Sequence, residues 1–283
     1  MKLQTHILTC VFSASLLLGG LSFGTTDASA LPLWNNPAAG LPGTWMEDDN
    51  LEYLIKGEGN GLANTIQVGD ILVSAIEYQA LKQYAAPNAS VSLNMTSDEL
   101  VGISRIKLLS ITANGLIFGQ DGDTPMVQLY STPDSGINLN LSNTGLAYAD
   151  AMSAITDGTL LWSFSVDPND PDTFWKFTPL MNALDITAVR SASPQEIVGV
   201  VQYALNFVPV GNTVDIFGDL AIGNGFVDLF GTGIIYGGQG LTYAFARSDI
   251  DTYINPVPEP ATMTLLGLGL TGLGFLRRRR ASK

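Results

Sequence analysis

Four oxygen-bearing side chains fall within six residues at Asp167-Pro-Asn169-Asp170-Pro-Asp172. Calcium takes six to eight oxygen ligands at roughly 2.3–2.6 Å, and a short acidic loop is a common way to supply them. The spacing is not that of an EF-hand, because Pro171 occupies the third donor position and no glycine follows it. Two prolines would preorganise a site of this kind; they would equally make a rigid, solvated Asp/Pro turn. Asp121-Gly-Asp123 and Glu47-Asp48-Asp49 are thinner versions of the same pattern. Calcium is the one cofactor that these residue types suggest, with Asp167, Asn169, Asp170 and Asp172 as its ligands.

Aromatic residues crowd the same stretch: Trp162, Phe164, Phe174, Trp175 and Phe177, with Trp34 and Trp45 further upstream. Such rings can stack on sugars if exposed, and they fill a core if not. Trp175 is the candidate for exposure and hence for glycan stacking. A carboxylate pair facing across a cleft could hydrolyse a glycoside, but the sequence singles out no pair among its many acids.

Other chemistries are closed off. Cys10 and His6 are the only cysteine and histidine, and both precede residue 31. From Leu31 to Pro256 there can be no disulfide, no Cys–His zinc site, no Ser-His-Asp triad and no histidine general base. No nucleophile elbow, Walker-type loop or His-Glu metal motif is present either. The same region holds 24 acidic side chains against seven basic ones, a net charge of −17. A surface that acidic repels phosphate backbones, which argues against a nucleic-acid partner, and it keeps a protein soluble.

The elements that must position these residues read as strands. Turn-forming clusters recur between short apolar runs rich in β-branched and aromatic residues. Eleven runs qualify: 52–55, 71–78, 99–111, 116–118, 126–131, 137–141, 160–165, 183–188, 197–207, 213–220 and 242–249. Asn114-Gly115 is expected to close a tight hairpin through a primed turn. Leu146–Ile155 is Ala-rich and predicts one short helix. Ser193-Pro194-Gln195-Glu196 has the form of a capping box, yet the Ile-Val-Gly-Val-Val run after it favours a strand. The expectation is an all-β, mostly antiparallel fold, built as a two-sheet sandwich or jelly roll, with at most one or two short helices.

Both ends carry processing features. Lys2 and His6 precede an apolar stretch from Ile7 to Leu18, and Ala28-Ser29-Ala30 offers the small-x-small pattern that signal peptidase accepts. The reading is a signal helix over residues 1–30, with Leu31 as the mature N-terminus. Cys10 lies inside the apolar stretch behind Thr9, a poor context for lipidation.

At the other end Val257-Pro258-Glu259-Pro260 is followed by an uncharged run, Ala261–Leu276, and then by Arg277, Arg278, Arg279 and Arg280. Sixteen residues at about 1.5 Å each reach roughly 24 Å, short of a hydrocarbon core of about 30 Å. Four glycines loosen the span further, and the arginines favour the cytoplasmic side. This tail resembles the PEP-CTERM sorting signal of Gram-negative bacteria, recognised by the membrane protease-transpeptidase exosortase. The resemblance implies cleavage near Pro258-Glu259-Pro260 after transient anchoring in the inner membrane, with transfer to a cell-surface acceptor.

The expected organisation is therefore a signal peptide (1–30), an exported β-rich domain (31–254), a linker with the motif (255–260), a transmembrane helix (261–276) and a basic cytoplasmic tail (277–283). The expected function is that of a non-enzymatic cell-surface or extracellular-matrix protein associated with exopolysaccharide. Its processing partners would be signal peptidase and exosortase. Two other readings stand beside it: a lectin-like module, with or without calcium, and a glycan-processing enzyme that works through paired carboxylates.

Overall fold

A computed structural model describes residues 44–254, apart from 62, 84–85, 93–97, 134–145, 181, 212, 214, 216–219 and 223–224. The signal helix with Ala28 and Ala30, Trp34, the 137–141 run, Val257-Pro258-Glu259-Pro260, the 261–276 span and Arg277 to Arg280 lie outside the described residues. Among the described residues, no helix is long and apolar enough to cross a membrane.

Among the described residues, thirteen strands and two helices follow in order: β1 (Thr44–Ile55), β2 (Ile71–Gln83), β3 (Ala86–Ser92), β4 (Asp98–Thr112), β5 (Gly115–Gly119), β6 (Val127–Pro133), α1 (Tyr148–Thr156), β7 (Thr159–Ser165), β8 (Phe174–Pro179), α2 (Ile186–Ser191), β9 (Ile197–Phe207), β10 (Leu220–Ile222), β11 (Gly225–Val227), β12 (Leu229–Tyr236) and β13 (Ala246–Ile254). Every strand pairing between them is antiparallel.

The sheet closes on itself. The ring β1-β2-β4-β6-β7-β9-β12-β13 returns to β1 through Trp45↔Tyr253 and Leu51↔Arg247. Between β4 and β9 the wall is built twice, end to end. β4 pairs with β6 along 98–104 and with β5 along 107–112, while β9 pairs with β8 along 199–204 and with β7 at 206–207. Either route gives eight strands. This closed barrel replaces the expected sandwich or jelly roll. Alternation tells which residues share a face, but one long sheet and two stacked ones have the same alternation.

The core lies inside the barrel and includes Met46, Leu100, Ile106, Met126, Phe164, Trp175, Tyr203, Leu229 and Ala246. A second cluster sits on the outside, where α1 lays Ala151 and Ile155 over Leu51, Tyr53, Val73, Val101 and Tyr130. Tyr53 fastens that contact by donating to the Leu146 carbonyl at 3.0 Å and packing edge-on against Tyr148.

Several local expectations change. The 183–188 run is not a strand, because the Asp185 carboxylate caps α2 by accepting from the amides of Thr187 (2.9 Å) and Ala188 (3.2 Å). Asn114 and Gly115 do join β4 to β5, but only Gly115 takes a positive φ (132°). The Thr112 hydroxyl organises this turn by accepting from the Asn114 amide and donating to the Gly115 carbonyl. At 193–196 the chain makes a turn, with the Glu196 amide on the Ser193 carbonyl, and β9 begins directly after it. Strands β8 and β12 carried no clear signal; Gly231 and Gly233 interrupt β12, and a Cβ on Gly231 would stand 2.0 Å from the Tyr203 ring.

Candidate functional site

The inward face of β1 is polar. Asp48, Asn50 and Glu52 point into the barrel, while Leu51 and Tyr53 point outward beneath α1. All three polar residues are 1% exposed. A hydrogen-bond chain links them to the neighbouring strands. Ser104 on β4 donates to Ser74 on β2 at 2.9 Å, and Ser74 donates to Glu52 Oε2 at 2.7 Å. Ser248 on β13 donates to Glu52 Oε1 at 2.5 Å and accepts from Asn50 Nδ2 at 3.1 Å. Asn50 Nδ2 also donates to Asp48 Oδ1 at 2.8 Å, and the Ile250 amide donates to the same oxygen at 2.9 Å.

Burial pushes the Asp48 carboxyl well above its usual range; the bonds from Ile250 and Asn50 offset this only in part, and the neighbouring charges, Asp249 and Asp49, are themselves negative. Burial likewise raises Glu52, against the two serine hydroxyls that lower it. Tyr203 on β9 bonds to the hydroxyl of Thr252 on β13 at 2.7 Å and stacks on Trp175 with centroids 4.3 Å apart. Burial raises Tyr203 and Tyr78 as well.

Sequence reasoning noted Asp48 only as part of an acidic triplet and missed Asn50 and Glu52. The signal was there: Asp48, Asn50 and Glu52 alternate with Asp49, Leu51 and Tyr53. Read by hydrophobicity, that alternation turns the wrong side inward, because the apolar side of β1 is buried by a helix and not by the barrel.

The sequence-predicted loop Asp167–Asp172 joins β7 to β8, where the two halves of the wall meet. Several of its side-chain oxygens are bonded locally. Asp167 Oδ1 accepts from the amide and the side chain of Asn169, Asp170 Oδ1 accepts from the Asp172 amide, and Asp170 Oδ2 accepts from Asn206 Nδ2 at 2.9 Å. These are Asx turns tied back to β9. Asp121, in the β5–β6 loop, is held by Arg105 at 2.7 Å and Lys107 at 3.8 Å. Among the described residues, no group of three or more His, Cys, Asp or Glu side chains is placed to hold a metal ion. Trp175 is corrected outright: it is 4% exposed, inside the barrel on Tyr203, because β8 turns it and Phe177 inward while Lys176 faces out. Trp45 and Trp162 are buried too.

The end of the barrel remote from Trp45 and Tyr253 holds an apolar cavity of about 30 Å³, lined by Leu54, Leu72, Leu108, Phe118, Phe177 and Ile235 among others. It is roofed by α2 and the 56–70 loop. Asp70 fixes that loop by accepting from Lys56 Nζ, the Gly57 amide (2.8 Å), Asn60 Nδ2 (2.6 Å) and the Gln67 amide (3.0 Å).

At the opposite end, Trp45 near the start of β1 pairs with Tyr253 near the end of β13, the last described strand before the C-terminal segment in the sequence. That segment is where the comparison with known families bears, since residues 256–280 match the model of the PEP-CTERM protein-sorting motif. The chain is a PEP-CTERM domain-containing protein. The motif implies an exported protein that is processed by exosortase. No curated protein and no solved structure matches the chain. Only one residue separates Ile254 from the start of the PEP-CTERM match, so the barrel and its sorting motif are nearly contiguous in sequence.

Proposed function

We infer that this PEP-CTERM protein is a non-enzymatic component of the cell surface or of the extracellular polysaccharide matrix. The sorting motif delivers it, and the closed barrel is what remains after processing. One observation carries the reading: the motif at residues 256–280 directly follows the last strand of the barrel. The interior supports it. Trp162, Trp175 and Phe164 are core residues, and the buried carboxylates Asp48 and Glu52 are enclosed by the wall and not set across an open cleft. A lectin built on Trp175 loses its stacking surface, since that ring already lies against Tyr203.

Replacing Pro258, Glu259 and Pro260 by alanine tests the delivery. The account expects the variant to accumulate in the membrane fraction at precursor length, while the wild type leaves it in a shortened form. Equal release of both proteins would contradict the account.

A further inference from the structure

Asp48 and Asn50 touch through half of a two-bond contact. A carboxylic acid and a primary amide are complementary at both ends, since each offers one donor and one carbonyl acceptor to the other. Inside the barrel the first bond is present, from Asn50 Nδ2 to Asp48 Oδ1 at 2.8 Å. The atoms that the second bond would join, Asp48 Oδ2 and Asn50 Oδ1, are both buried and, among the described residues, without a hydrogen-bond partner. Both are acceptors while Asp48 is ionised, so they cannot bond to each other until Oδ2 carries a proton.

The surroundings favour that proton. The other donor to Asp48, the Ile250 amide, also lands on Oδ1 (2.9 Å) and leaves Oδ2 bare. Tyr78 stands opposite Asp48 on β2, and its hydroxyl interacts with Thr252, to which Tyr203 of β9 is bonded. Further along β1, the Glu52 oxygens accept from Ser74 and Ser248. The charged neighbours that act on Asp48, Asp249 and Asp49, are negative, and Glu47 acts on Asp49 in the same sense. Arg247 on β13 pairs with outward-facing Leu51 and donates to the Gly237 and Gln239 carbonyls. A buried carboxylate with one oxygen unpaired is costly; a neutral acid bonded to an amide costs far less.

We propose that Asp48 is a proton-binding site of the fold: it is the neutral acid in the closed barrel, donating from Oδ2 to Asn50 Oδ1, and it releases that proton when the barrel opens. The site stands independently of the sorting motif. In the unfolded chain an aspartate ionises at about pH 4. Folding therefore takes up a proton above that pH, and stability falls as pH rises until the folded group ionises as well. Through Asp48, acid tightens the exported barrel and alkali loosens it.

Asp48→Asn supplies the test, because its amide N–H replaces the acid O–H toward Asn50. Denaturant titrations of the exported protein should find wild type and variant equally stable near about pH 4. Above it the variant should gain on wild type by about tenfold in the folding equilibrium constant per pH unit, until Asp48 ionises in the folded state. A gap that does not change with pH, or a variant that loses on wild type as pH rises, would overturn the proposal in favour of an ionised Asp48. Should the variant fail to fold, NMR of wild type isotope-labelled at its aspartate carboxyl carbons decides. At about pH 6, well above the unfolded value, one aspartate resonance should keep the position of a protonated acid. Its absence would equally overturn the proposal.

Discussion

Removing the Asp70 side chain should loosen the roof of the barrel more than any single change in the acidic loops. The Asp70 carboxylate is 1% exposed and accepts from four donors, two of them backbone amides of the loop it closes. Hydrogen bonds to a charged group contribute about 1.5–3 kcal/mol each, but they are not additive. Lys56, at 22% exposure, can recover water when its partner is lost, as can part of the loop backbone. The net loss for Asp70→Ala is therefore on the order of 3 kcal/mol, which for a domain of this size lowers Tm by about 6–12 °C.

The pH dependence gives a second handle on the same residue. Burial works to raise the Asp70 carboxyl, but the bonds from Lys56, Gly57, Asn60 and Gln67 outweigh it and hold the group below its usual value. A lowered folded-state pKa means that the stabilisation is present above the unfolded value of about 4 and is lost as pH falls through the folded one. Wild type and Asp70→Ala should thus differ fully at neutral pH and converge in acid. Denaturant titrations across that range measure both effects. A loss below about 1 kcal/mol at pH 7, or a gap that widens in acid, would refute the reasoning.

Other substitutions probe the interior and the seam. Trp175→Ala should lose about 3–5 kcal/mol by emptying the space beside Tyr203, with no change in retention on polysaccharide columns; weakened retention by a still-folded variant would restore the glycan reading. Asp170→Ala should cost about 1 kcal/mol through the lost Asn206 bond and Asx turn. If millimolar calcium raised the melting temperature of wild type but not of this variant, the acidic loop would have to be read as a metal site after all.

Much of the wall was legible. The runs at 71–78, 99–111, 160–165 and 197–207 lie within β2, β4, β7 and β9, because β-branched, aromatic or other large apolar residues recur there without a competing signal. The helix predicted over 146–155 is α1, displaced by two residues at its start. Two kinds of feature escaped. Closure depends on pairings between distant strands, such as Thr252 with Met46 and Ile76 with Gly102, which no local pattern encodes. The polar layer escaped for the opposite reason: on β1 both faces are buried, one against α1 and the other inside the barrel, so hydrophobicity alone could not say which face looked inward. The tail needed no fold at all. Two prolines around a carboxylate, a short uncharged span and an arginine cluster are recognisable as sequence, which is why the resemblance read from residues 257–280 and the family match over 256–280 coincide.

The intact mass of the exported protein tests the central claim most directly. The account predicts a chain that begins at Leu31 and ends near Pro258-Glu259-Pro260, without the span or the arginines and with the mass of any group transferred to the new C-terminus. A full-length mass, with Met1 and Arg277 to Arg280 still attached, would contradict it.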